Sequence, residues 1–429
     1  MSKINIFWLR RDLRTEDNRG FSEALKSEHN VLPIFIFDKE ILDKLENKED
    51  KRLDYFHQAL EKMNAEFKKH GSGIQTFHGK PLEIFKKIIK DFDIETVYTN
   101  TDYEPYAKNR DEEVAKFLKQ NDVDFQSFKD QIIFEKDDIL KKDGTPYSVY
   151  TPYSRKWKEK FTNEDVKPCP LDFKNLYKFS AKNIISLKDL GFKETGFTYE
   201  KPVLKKSQIE DYDITRNFPG ADKTTRIGVA LRFGTISIRE CVAFAEKNNE
   251  VWLNELIWRE FFMQILYHFP KVVTTCFKED YEKIDWRNNE KEFKLWCEGK
   301  TGYPIVDAGM RQLNETGFMH NRIRMVTASF LTKHLLIDWR WGEAYFAEKL
   351  LDYELSSNNG NWQWAAGCGC DAAPYFRIFN PAEQSKKFDK NNVYVDKWLD
   401  KESKEISPIV EHKLARERAL STYREALKK

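Results

Sequence analysis

No run of about 18 consecutive apolar residues occurs anywhere in the chain, so no membrane-spanning helix is expected. The first apolar stretch, after "MSK", comes too early and is too short for a secretory signal, which points to the cytoplasm. The six cysteines (Cys169, Cys241, Cys276, Cys297, Cys368 and Cys370) include no CxxC pair and no histidine at zinc spacing. That pattern reads as free thiols in a reducing compartment, with no metal site. No Gly-x-Gly-x-x-Gly follows the first apolar run, so the dinucleotide fingerprint is missing there. Internal repeats and low-complexity tracts are missing too.

A large excess of either charge is also lacking. The net charge is +2 over 429 residues, 33% of them charged, with a mean hydropathy of −0.70. Residues 1–130 carry 23 Lys/Arg against 26 Asp/Glu, and the remainder 49 against 44. The small positive balance of the second part favours an anionic partner there.

What the chain has in plenty is tryptophan. Nine of its 11 indoles fall between Trp252 and Trp398. Such a density suits stacking on planar ligands or moving electrons.

The length suggests two domains. Short apolar runs at Ile4–Leu9, Val31–Phe37, Gly73–His78, Thr96–Asn100 and Asp124–Phe128 read as strands, with helical patterns at 52–70, 81–91 and 109–119 between them. The alternation predicts a Rossmann-like, five-stranded parallel sheet over residues 1–130. Pro, Gly and Ser breaks over 131–200 read as an interdomain linker. Apolar residues at i, i+3, i+4 and i+7 predict an all-α domain over 201–429.

Six ordered motifs carry a resemblance. They are "FWLRRDLRTEDNRGFSEAL", "TPYSVYTPYSRKW", "WLNELIWREFF", "EGKTGYPIVDAGMRQLNETGFMHNRIRMVTASFL", "LLIDWRWGEAYF" and "NNGNWQWAAGCGCDAAPYFRIFNP". Together they resemble the cryptochrome/photolyase family, specifically its class I cyclobutane pyrimidine dimer photolyases. The resemblance spans nearly the whole chain. It implies an α/β domain followed by a helical domain holding a bent FAD, reduced and anionic in the active form.

By that resemblance Tyr212, Thr224, Thr225, Arg226, Ile227, Gly228, Trp252, Arg259, Asp352, Glu354 and Asn358 bind the flavin. The run "KTTRIG" opens a helical stretch, where orphan amides suit a pyrophosphate. Family members often have Ser where Gly228 stands and Asp where Glu354 stands. Asn358 would face flavin N5, where an amide can either accept or donate.

Trp286, Trp339 and Trp362 match the family's electron route to photoexcited flavin. Glu255, Trp258, Asn321, Met325 and Trp364 match the pocket around a flipped-out thymine dimer, with Glu255 one helical turn before Trp258. Trp362 and Trp364, two residues apart, are expected to face opposite sides of an irregular segment. Asn321 stands where 6-4 photolyases place histidine, which favours the cyclobutane lesion. Arg216, Arg322, Arg377 and Gln384 match contacts to the DNA backbone.

The folate-binding pair of the family is replaced by Tyr106 and Ala107. An antenna of deazaflavin or flavin type, or none, stays open. The implied activity is light-dependent repair of cyclobutane pyrimidine dimers in UV-damaged DNA by a monomer, through electron transfer from photoexcited FADH−. A cryptochrome photoreceptor and a light-independent DNA-binding flavoprotein are the alternatives.

Overall fold

A computed structural model describes residues 3–428. Five strands, β1 (Ile4–Leu9), β2 (Val31–Asp38), β3 (Gln75–Gly79), β4 (Ile94–Asn100) and β5 (Asp124–Phe128), form one parallel sheet in the order β3-β2-β1-β4-β5. Both central strands, β1 and β2, are buried along their whole length, as parallel strands covered on two faces should be. Side chains alternate between the two covers. Phe7 and Leu9 join Phe21, Leu60 and Phe67 on one face. Ile4, Ile6 and Trp8 join Phe85, Ile88, Val114 and Leu118 on the other.

The chain divides into two compact units. One comprises 1–135, 161–204 and 227–244; the other comprises 136–160, 205–226 and 245–429. Residues 131–200 therefore do not stand apart as a linker. Residues 161–204 lay Leu176, Ile184, Leu187, Leu190 and Phe192 into the α/β core, and the Tyr177 amide donates to the Val31 carbonyl at 2.8 Å. These apolar residues follow neither helical nor strand spacing, because each is placed by the surface beneath it. Residues 136–160 instead supply the Tyr150–Lys160 helix to the helical unit. There the Tyr153 hydroxyl and the Trp157 indole both donate to the buried Glu260 carboxylate, at 3.1 and 2.7 Å.

Residues 227–244, expected in the helical domain, cluster with the sheet for an electrostatic reason. Arg239 donates to Asp17 at 2.9 Å and to Asp130 at 2.8 Å. Asp130 also takes Arg14 and the Arg19 amide, and all three charged side chains (Arg14, Asp130 and Arg239) are buried.

In the helical unit, long helices at Glu250–His268, Pro304–Thr316, Asn321–Ser329, Trp339–Lys349 and Leu355–Ala366 enclose an aromatic core that includes Trp296, Trp339 and Trp362. A π-helical turn, Phe330–His334, follows the Asn321–Ser329 helix. It carries the buried Lys333, whose Nζ donates to the Ala366 carbonyl at 2.7 Å. Among the described residues no helix is long and apolar enough to cross a membrane.

Candidate cofactor cleft and lesion site

Residues 355–366 form a regular α-helix, not the irregular segment expected from "SSNNGNWQW". Asn and Gly are poor helix formers, but here burial decides. The Asn359 and Gln363 amides both donate to the Val272 carbonyl at 2.9 Å, and Gly360 lets the helix close on Phe262, where a Cβ would stand 2.2 Å from the ring. Two residues along a helix turn about 200°. Trp362 therefore packs inward on Phe346 and Trp296, at ring separations of 4.9 and 6.1 Å, while Trp364 is half-buried. Gly342 makes room for Trp362, since a Cβ there would stand 2.1 Å from its Cη2.

This helix forms one wall of a cleft of about 610 Å³, its open mouth included. Asn321, Met325, Asp352, Glu354, Asn358, Trp362 and Trp364, all singled out from sequence, line it together. Arg324 lines it as well and was not singled out. Its guanidinium reaches both oxygens of Asp352, at 3.1 and 2.9 Å, and its Nε donates to the Met319 carbonyl at 2.8 Å. Its position one turn after Asn321 was a usable signal. Arg259 donates to Glu354 at 3.1 Å.

Asn358 donates from Nδ2 to the backbone carbonyl of Glu343 at 3.0 Å and to Glu343 Oε1 at 2.8 Å. Burial pushes the Glu343 carboxyl above its ordinary range, and the Asn358 hydrogen bond opposes the shift. No sequence signal marked Glu343.

The remaining flavin candidates lie outside the cleft lining. Trp252 is buried near the start of the Glu250–His268 helix. Thr224 and Thr225 are half-buried in extended chain, and Arg226, at φ +50°, pairs with Asp222 at 2.7 Å. Ile227 precedes the short Gly228–Phe233 helix, which belongs to the α/β unit. Tyr212 lies under the Arg216 guanidinium, 5.7 Å from ring centre to Cζ.

Glu255 accepts from Arg216 at 2.5 Å. Burial raises its carboxyl pKa, and Arg216 pulls it back. Trp258 stacks face to face on Tyr150, 3.6 Å between centroids and 6° between planes. Tyr150 was quoted in a motif but given no role. Its hydroxyl anchors on the Asn254 carbonyl at 2.9 Å, one turn before Trp258. Burial, then the nearby charges of Arg216 and Arg377, hold the Arg322 guanidinium below its ordinary pKa. Three arginines thus share one field. Arg322 is steadied by Asn217 at 2.6 Å and by the Phe388 ring, while Arg377 is exposed. Gln384 keeps a buried side-chain oxygen without a partner among the described residues.

Trp339 and Trp362 lie in the helical core and Trp286 packs against it, half-buried. The Trp339 indole N–H is buried and has no hydrogen-bond partner among the described residues. In the α/β unit, Tyr106 donates to Asp38 at 2.6 Å and Ala107 is buried. Neither supplies the amide and carboxylate of a folate pair.

The described chain thus combines a parallel sheet unit with a helical unit that carries a polar-edged, tryptophan-walled cleft. Residues 5–171 match the DNA photolyase domain, and residues 252–406 match the FAD binding domain of DNA photolyase. The chain belongs to the DNA photolyase family. It is 37% identical to the deoxyribodipyrimidine photo-lyase of a Synechococcus strain, over 94% of this chain and 91% of that one. Among solved structures it is similar to a bacterial class III photolyase from Agrobacterium tumefaciens, with 30% identity, a TM-score of 0.86 and coverage of 100% and 98%. An archaeal photolyase from Sulfolobus tokodaii, solved with two FAD molecules, matches at 32% identity and a TM-score of 0.81, covering 98% and 99%.

Proposed function

We propose that the protein repairs cyclobutane pyrimidine dimers in UV-damaged DNA in a light-dependent reaction, with FAD as its cofactor. The observation that carries this reading is the single cleft on which Asn358, Asn321, Met325 and Trp364 converge. The residues fit a flavin. Among the described residues only the Asn358 Nδ2 makes hydrogen bonds, and two guanidinium–carboxylate pairs, Arg324–Asp352 and Arg259–Glu354, offer donors and acceptors to a heterocycle's polar edge. Bound, reduced FAD supplies the excited-state electron.

The chain's own part is to hold the two reactants and exclude water. Trp364 and Trp258 offer aromatic faces to a flipped dimer, and Tyr150 keeps the Trp258 ring in one orientation. Glu255 supplies a hydrogen-bonding group to the dimer's carbonyl edge, where negative charge develops on reduction. Arg216, Arg322 and Arg377 take phosphates, making binding salt-sensitive and nearly independent of sequence. Trp362, Trp339 and Trp286 carry electrons inward to restore the reduced cofactor. The Thr224–Gly228 run holds the pyrophosphate. One chain builds both the cleft and the arginine cluster, so the protein works as a monomer, in the cytoplasm.

A sensor that signals without repair has no use for the Tyr150-backed Trp258 beside Glu255, and that arrangement favours the lyase over the cryptochrome alternative. The test is a dimer-containing oligonucleotide incubated with reduced protein under blue light and in darkness. Dimers should disappear only in the light. Persistence of the dimer in both arms would hand the function to the sensor reading.

A further inference from the structure

The Tyr150–Lys160 helix opens with no acidic residue in its first turn, where a negative charge stabilises a helix most. A distant segment supplies that charge. The Tyr150 backbone N–H donates to Asp371 Oδ2 at 3.1 Å. Asp371 stands at φ +48°, in the left-handed region that Asp and Asn enter more readily than most residues with a side chain. It lies between the Leu355–Ala366 and Pro381–Phe388 helices, seven residues after Trp364 and six before Arg377. Tyr150 is thus held at three points: its amide by Asp371, its hydroxyl by the Asn254 carbonyl at 2.9 Å and its ring by Trp258.

From this geometry we infer that Asp371 is a positioning residue for the lesion pocket: through Tyr150 it fixes the Trp258 ring relative to the segment that follows Trp364 and carries Arg377. This rests on the reading that Trp258 and Trp364 take the flipped dimer. The two indoles stand on separate helices, Glu250–His268 and Leu355–Ala366, so their spacing must be set by something that joins them. The start of the joining segment is pinned, with the Gly369 amide donating to the Gln363 carbonyl at 3.1 Å and the Lys278 amide to the Cys368 carbonyl at 2.8 Å. Asp371 carries that fixed point across to Tyr150. The face-to-face stack at 3.6 Å then passes it to Trp258, where a parallel ring resists tilting. Without the carboxylate the first amide of the helix loses its partner, and Tyr150 keeps only two of its anchors. The Trp258 ring then samples more orientations, and ordering it opposes dimer binding. Undamaged DNA keeps its bases stacked and rests on the arginines, so it meets no such cost.

The experiment measures dissociation constants in darkness for a dimer-containing and an undamaged oligonucleotide, using holoprotein of wild type, Asp371→Ala, Asp371→Gly and Asp371→Asn. FAD per chain and melting temperature are measured first. Glycine removes the carboxylate without straining a left-handed backbone, so it serves should the alanine form not fold. Asparagine keeps both an acceptor and that backbone preference. Alanine and glycine should raise the dissociation constant for dimer DNA by roughly three- to tenfold, the worth of one lost hydrogen bond, and that for undamaged DNA by less than about twofold. The asparagine variant should stay within about twofold of wild type on both. A double-mutant cycle separates positioning from capping alone. Tyr150→Leu keeps the amide that Asp371 holds but lacks the stacked ring, so adding Asp371→Gly to it should weaken dimer binding by less than about a further twofold. Full additivity in that cycle overturns the inference, as does equal weakening of both DNAs or an asparagine variant as weak as the glycine one. A wild type with no preference for dimer DNA overturns the functional reading itself. A wild type that prefers dimer DNA, with Asp371 variants that do not differ from it, overturns only the role of Asp371.

Discussion

A charge cluster in the α/β unit and a set of buried groups in the helical unit treat buried charge in opposite ways. In the first, Asp130 meets Arg14, Arg239 and a backbone amide. Burial alone would push its carboxyl up, yet the two guanidiniums hold it below its ordinary value. Arg10 follows the same pattern, buried against Asp111 and the Asn100 carbonyl. In the second unit, Glu354 is paired with Arg259, but other titratable groups, Lys333, His320 and Glu343, have no ion-pair partner among the described residues. Lys333 meets a carbonyl and the Tyr423 ring, and burial brings it down to about 7. His320 falls to about 4, through burial and then Arg324 and Arg322, and Glu343 rises. Complete pairing marks charges that hold a fold together.

The contrast can be broken most directly at Asp130. Replacing it with alanine strands two buried guanidiniums, which should cost about 3–5 kcal/mol in urea unfolding of the holoprotein. A loss under about 1 kcal/mol would mean that pairing is not what holds residues 227–244. Next in size is the pH response of Lys333. Its folded pKa lies below its ordinary 10.5, so between about 7 and 10.5 the unfolded chain binds the extra proton. Stability should therefore rise with pH across that window, by up to roughly 1.4 kcal/mol per unit, and be lowest below it. The difference between wild type and Lys333→Met isolates the effect. Parallel pH profiles would remove Lys333 from the unbalanced set.

Gly342→Ala sharpens the comparison on the packing side. The added methyl meets the Trp362 ring and should cost about 1–3 kcal/mol and slow photoreduction, read by denaturation and by flavin bleaching. The smallest change in stability belongs to the half-buried Trp258. Trp258→Ala should leave the melting temperature nearly untouched yet raise the dissociation constant for dimer DNA by roughly ten- to a hundredfold. Binding to undamaged DNA should barely change. Equal weakening of both DNAs would take Trp258 out of the lesion pocket.

Short apolar runs alternating with helical patterns made the sheet legible. Ile4–Leu9 and Asp124–Phe128 stand as strands at the residues expected, and Pro81–Asp91 as a helix. The Leu355–Ala366 helix was not legible, because its central Asn-Asn-Gly-Asn run is stabilised by a carbonyl at Val272 and a ring at Phe262, both remote in sequence. The same holds within the site. Asn358, Trp362 and Trp364 announce themselves by motif. Glu343 and Tyr150 act through a partner at a distance, and their side-chain types say nothing of it.

The fit of Gly342 against Trp362 also constrains descent. Two of the three atoms nearest a Cβ at 342 belong to the six-membered ring of that indole. Any lineage that enlarged residue 342 while the indole remained would have crossed a valley of lowered stability. One that first exchanged the indole for a smaller ring would have met a gentler slope. The two positions are therefore coupled: the indole at 362 sets what residue 342 can be.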